Sequence, residues 1–121
     1  MAALRSFWCS ALLALLAAGS AGAQTVSNEF FEARIRPVLA AKCYACHNSQ
    51  MKEPKGYLTL DSKAGVIKGG TLGPAIVPGN PAGSKLIHAL KYSDPHLQMP
   101  PSGRLDDQIV ADFEQWIAGG A

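Results

Sequence analysis

The chain has 121 residues and a formal net charge of +2, enough for one domain with a modest core and too near neutral for a nucleic-acid partner or a polybasic membrane contact. Its three cysteines, one of them inside the N-terminal apolar run, exclude the multiply bridged framework of a disulfide-rich secreted domain.

The opening MAALRSFWCSALLALLAAGSAGAQ places Arg5 before an apolar run from Phe7 to Ala18 and ends in the small triplet Ala21, Gly22, Ala23. This is the pattern of a secretory signal peptide, residues 1–23, cleaved after Ala23. The run is short for a membrane span, which needs roughly 20 apolar residues. An uncleaved N-terminal anchor is the alternative reading; after cleavage no membrane span remains. Cys9 leaves with the peptide, so residues 24–121 form a single domain whose only cysteines are Cys43 and Cys46. Such a small core invites a buried prosthetic group. Charge is segregated within it: between Ala33 and Arg104 ten basic residues face only Glu53, Asp61 and Asp94, and the flanks are acidic. The basic middle is a candidate docking surface for an acidic partner; solubilising loops by lysine is the plainer reading.

In chain order, Ser27 or Asn28 can cap a first helix with Glu29 and Glu32 in its first turn and Phe31, Ile35 and Leu39 along one face. Pro37 should bend or divide it. From Asn48 to Met99 the signals change to loops and short elements: YLTLD alternates like a brief extended segment, and GG and GPAIVPGNPAG punctuate. Ser84 then caps a short helix with Leu86, Ile87 and Leu90 inward. After DPHLQMPPSGR, Asp106 caps a last helix with Ile109, Phe113, Trp116 and Ile117 at helical spacing and Gly119 and Gly120 beyond its end. Its aromatic face is the natural partner of the Phe31 face of the first helix.

The stretch KCYACHNSQ carries the chemistry. On a helical turn Cys43, Cys46 and His47, at i, i+3 and i+4, share one face. Two thiols there can add across the vinyl groups of a haem, and the adjacent imidazole then reaches the iron from the same side; C-x-x-C-H is the signature of c-type haem attachment. Zinc would want four ligands, and no second Cys or His pair stands at finger spacing. A thioredoxin-like redox pair expects a βαβ setting that the loop-rich middle does not supply.

An electron-carrying haem takes a second axial ligand, and a Met/His pair raises the reduction potential. Met99 leads the candidates: it lies far enough along the chain to wrap the ring, and Pro100 and Pro101 stiffen the backbone after it. His96 competes, and a gap-filling core methionine is the bland alternative. Met51 follows His47 too closely to reach the opposite face, and His88 reads as a surface histidine. The carbonyls of residues 54–56 are candidate acceptors for the second ring nitrogen of His47. Arg104 reads either as a propionate contact or as an exposed residue beside a helix start.

With RPVLAAKCYACH, GYLTLDS, KGGTLGPAIVPGNPAGSKLI, MPPSGRL and FEQWIAGGA in view, the chain resembles the planctomycete-type cytochrome c domains, a branch of the monohaem class I cytochromes c, from about Phe31 to Ala121. The resemblance implies an all-α, loop-rich fold around one covalently bound haem c and its iron, with the N- and C-terminal helices crossing. It implies thioethers at Cys43 and Cys46, a proximal ligand at His47 and a distal ligand at Met99.

The function expected is one-electron transfer by a periplasmic or secreted carrier that meets redox partner proteins and alters no substrate. Two alternatives stand beside it: a peroxidase-like or gas-sensing protein with a labile sixth site, and a haem subunit bound within a larger dehydrogenase or oxidase.

Overall fold

The computed structural model describes residues 27–121; the expected signal peptide and Cys9 lie outside them. Among the described residues the protein is all-α, without strands, as expected, and no helix is long and apolar enough to cross a membrane.

The first helical stretch runs through α1 (Asn28–Phe30), one π turn (Phe31–Ile35) and α2 (Arg36–Lys42). Ser27 starts it, its Oγ accepting from the Phe30 N–H at 3.2 Å. Pro37 has no N–H and its ring crowds the carbonyl four residues back. The chain absorbs this by widening one turn: the Arg36 N–H donates to the Phe31 carbonyl, five residues back. The predicted division is thus a π turn inside a continuous rod. Ile35 and Leu39 are fully buried, and on the outer face Arg36 makes a bidentate pair with Glu32 at 2.6 and 2.7 Å.

The middle of the chain is looped, with two short elements before the fourth helix. A 3-10 turn (Lys55–Tyr57) leads into Leu58 with extended backbone, but the YLTLD segment pairs with no neighbour as a strand. Helix α3 (Lys63–Lys68) is capped by Ser62, whose Oγ accepts from the Gly65 N–H at 3.0 Å. It ends at Gly69, which has φ +72°; a Cβ there would lie 1.8 Å from the Gly73 carbonyl oxygen, so this position requires glycine.

Helix α4 (Lys85–Lys91) buries Leu86, Ile87, Ala89 and Leu90. Ser84 precedes it but does not cap it with its side chain. Its wholly buried hydroxyl donates to the Asn80 carbonyl at 2.8 Å and accepts from the Val77 N–H at 2.9 Å. The loop had unmet backbone groups in the interior, and satisfying them outweighs a cap whose N–H partners can face water.

Helix α5 (Asp107–Ala118) closes the fold, burying Val110, Phe113, Trp116 and Ile117. Asp106 occupies the cap position without a capping bond; Asp107 in the first turn pairs with Arg104 instead, at 2.6 Å. The first and last helices meet as the sequence predicts. Phe31 and Trp116 have ring centroids 5.4 Å apart, and Phe113 meets Trp116 edge-on at 6.1 Å. The buried Asp112 beside them accepts from Arg34 Nε at 3.0 Å and Gln108 Nε2 at 3.2 Å, so its charge is not left unpaired.

Candidate functional site

Cys43 ends α2, its N–H donating to the Leu39 carbonyl at 2.9 Å. Its own carbonyl then accepts from both the Cys46 N–H at 3.1 Å and the His47 N–H at 3.0 Å. One carbonyl therefore gathers all three residues of the motif onto a single turn. The segment downstream is tied back to it, with Lys55 N–H donating to the Cys46 carbonyl at 2.9 Å and Leu60 N–H to the His47 carbonyl at 3.0 Å. Asp61 adds a brace, accepting from the Ser49 N–H and hydroxyl at 2.9 and 2.7 Å. These two hydrogen bonds hold its carboxyl below the usual carboxylate range.

The side chains of Cys43, Cys46 and His47 are half-buried. Desolvation pushes the Cys43 thiol up to about 11, so it is protonated at neutral pH. The two thiols are not joined to each other. Among the described residues no three His, Cys, Asp or Glu side chains are grouped to hold a metal ion.

His47 Nδ1 is buried without a hydrogen-bond partner. The carbonyls of residues 54–56 do not accept from it, contrary to expectation; their bonds run to backbone N–H groups instead. Pro54 O accepts from Tyr57 N–H at 2.8 Å, Lys55 O from Leu58 N–H at 3.3 Å, and Gly56 O from Thr71 N–H at 2.8 Å.

Met99 stands on a different support. Its N–H donates to the carbonyl of Ala89 in α4 at 3.2 Å, the Met99–Pro100 peptide is cis, and Pro100 is buried while the Met99 side chain is half-buried. The Tyr92 hydroxyl donates to the Pro100 carbonyl. Sequence reasoning missed this contact, because nothing in the order of residues says that a tyrosine ending one helix turns back onto a carbonyl eight positions later. Among the described residues no hydrogen bond joins the Met99 loop to the motif turn.

The competing histidines are placed elsewhere. His88 is exposed, with its ring nitrogens beside the Ala82 carbonyl at 2.9 Å and Ser93 Oγ at 3.3 Å. His96 is exposed in a turn closed by Asp94. Arg104 is committed to Asp107, which favours the helix-start reading over the propionate one.

A cleft of about 380 Å³ opens between the first helical stretch, residues 60–63 and Trp116. It touches the motif only through Tyr44, and none of Cys43, Cys46, His47 or Met99 lines it. The motif turn itself fits the expected haem better. Its thiols and imidazole are the required donor set, and one imidazole nitrogen is enclosed without a protein partner. The two most exposed of the four large hydrophobic side chains open to solvent among the described residues are linked to the turn through the backbone. Of these, Tyr57 is 69% exposed on the segment bonded to the turn at both ends, and Leu72 is 62% exposed beside Thr71, which is bonded to Gly56. A flat apolar group held at the turn would cover such side chains.

Comparison with curated proteins and with solved structures gives no significant match. A protein-family model described as Planctomycete cytochrome C matches residues 43–103. It begins at Cys43, takes in the whole motif turn and the Met99 loop, and covers just over half of the chain, so the chain belongs to the planctomycete cytochrome c family.

Proposed function

We propose that this protein is a periplasmic or secreted monohaem c-type cytochrome that transfers single electrons. Cys43 and Cys46 would hold the haem through thioethers, and His47 and Met99 would ligate its iron. Membership of the family implies a covalently bound haem with iron, redox partners and, as is typical of cytochrome c domains, a place outside the cytoplasm. The observation that carries the finer reading is that one matched segment, residues 43–103, contains both the motif turn and the Met99 loop.

The haem supplies a one-electron ferrous/ferric couple. The protein's part is to hold and surround it. Gathering Cys43, Cys46 and His47 on one carbonyl would restrict the movement of the two sulfurs and the imidazole that hold the haem. A thioether at Met99 favours the ferrous state and raises the potential. Electron transfer of this kind needs no general base.

Of the basic side chains, Arg34, Arg36, Lys91 and Arg104 are taken up in ion pairs. Lys42, Lys52, Lys55, Lys63, Lys68 and Lys85 are exposed and outside those pairs. Lys42, Lys52 and Lys55 bracket the motif in sequence, where unpaired positive charge would steer an acidic redox partner and make its association salt-sensitive.

The test is the spectrum of the secreted, reduced protein before and after carbon monoxide, with Met99→Ala alongside. The wild-type spectrum is expected to stay unchanged while Met99→Ala forms the carbon monoxide complex and shows a lower potential. A wild type that binds carbon monoxide readily would put the peroxidase-like or gas-sensing reading ahead. A second reading is a haem subunit docked in a larger complex, which would use exposed apolar surface that the haem leaves uncovered. Co-purification with a dehydrogenase or oxidase would establish it.

A further inference from the structure

Tyr92 stands at the C-cap of α4 with φ +56° and ψ 31°, the left-handed conformation that glycine takes without penalty and a bulky side chain takes at a cost. Strain of this kind persists where surrounding contacts over-determine it. The contact here is the hydroxyl, which donates to the carbonyl of Pro100. That carbonyl lies directly after Met99, and it also accepts from the Gly103 N–H at 3.3 Å. On the other side of Met99, the carbonyl of the buried Ala89 accepts from the N–H groups of both Tyr92 and Met99, each at 3.2 Å. The end of α4 therefore grips the methionine's backbone on both sides. Pro100 and Pro101 have no N–H to offer, so few other anchors for this loop exist.

We propose that Tyr92 is a positioning residue that clamps the Met99 loop and keeps the thioether at the iron, an inference that rests on the reading of Met99 as an axial ligand. Dissociation of the thioether requires the loop to swing away. With Met99 N–H and Pro100 O both tied to α4, that excursion breaks the bond from Tyr92. Tyr92 touches neither haem nor partner in this account; it acts through the backbone of the ligand loop.

The experiment uses the haem-loaded protein in its ferric form, with imidazole added to saturation so that the limiting rate reports loss of the native sixth ligand. Tyr92→Phe keeps the ring and removes the bond. The limiting rate is expected to rise about threefold to tenfold, the shift expected on losing one intramolecular hydrogen bond, with covalent haem content unchanged. Should the phenylalanine variant not accumulate, Tyr92→Asn, which takes the left-handed conformation more readily, is expected to show the same acceleration.

A limiting rate equal to the wild type's, with only Tm lowered, would overturn the proposal and leave Tyr92 a stability residue. So would an equal acceleration in Ile117→Val, a comparably small loss of stability placed in the helix crossing. Met99→Ala separates the two readings. If it reacts no faster than the wild type, the axial assignment itself fails; if it opens the iron while Tyr92→Phe does not, the clamp alone fails.

Discussion

At the helix crossing, Ile35, Leu39, Phe113 and Ile117 are at most 1% exposed, whereas at the motif turn and the Met99 loop Cys43, Cys46, His47 and Met99 all remain half-buried. At the crossing the side chains find protein partners: its rings meet tilted and edge-on, and the buried carboxylate of Asp112 has Arg34 and Gln108. The motif side has a well-bonded backbone under side chains that lack partners, with His47 Nδ1 enclosed and unmatched and Tyr57 and Leu72 in the open. The difference is the one expected when half of a small core is contributed by a prosthetic group, as membership of a cytochrome c family implies. A chain this short can then place rigid backbone where the chemistry is and leave the apolar filling to the haem.

Three measurements would break or sharpen this contrast. The largest effect belongs to Cys43→Ser with Cys46→Ser. Covalent haem should vanish, and the segment from the motif turn to the Met99 loop should lose protection from hydrogen exchange while the helix crossing keeps more of its own. A haem-free variant as well protected as the wild type throughout would show that the motif side needs no group to complete it. Next comes Phe113→Ala, which opens a cavity in the protein-only half and should cost about 3–5 kcal/mol of stability. Its covalent haem absorbance should survive in whatever fraction folds, and the potential should stay close to wild type. A large change in potential would mean that the two halves are not separable.

The smallest effect is at Asp61. Its carboxyl is held down by the Ser49 N–H and hydroxyl, so folding binds the ionised form more favourably than unfolding does. The stabilisation is present at neutral pH and is lost as pH falls below the ordinary carboxylate range, about pH 4. Asp61→Asn should be modestly less stable than wild type at pH 7, with the gap closing in acid. A gap that persists unchanged on acidification would assign the loss to shape rather than charge. Because Asp61 braces the motif turn, the same variant also reports how far that turn depends on its surroundings.

Much of the fold was legible because its signals are local. The face of Phe31, Ile35 and Leu39, the 3.6-residue spacing of Phe113, Trp116 and Ile117, and the Ser27 cap are each decided by neighbours within a turn or two. The consequences of Pro37 were legible in kind but not in form, since a missing N–H can be met by a break or by a π turn. Ser84 shows the limit. As a serine before an apolar run it reads as a cap, yet its hydroxyl serves Val77 and Asn80, partners that become close only once the loop is folded over it. The acceptor expected for His47 among the carbonyls of residues 54–56 is likewise not met: those carbonyls are bonded to Tyr57, Leu58 and Thr71, and where they lie relative to the ring depends on the loop path.

By itself the sequence determined an all-α domain with its first and last helices in contact, a Cys43–Cys46–His47 turn suited to haem, and membership of the family. These follow from spacing, and spacing along a helix or turn is fixed by covalent geometry. Only the tertiary structure decided which groups brace the site: Asp61 on Ser49, Lys55 and Leu60 on the motif carbonyls, and Tyr92 on the carbonyl after Met99. Each of those joins residues that a loop brings together, and loop paths are set by the sum of many weak interior contacts rather than by any pattern a reader of the chain can see.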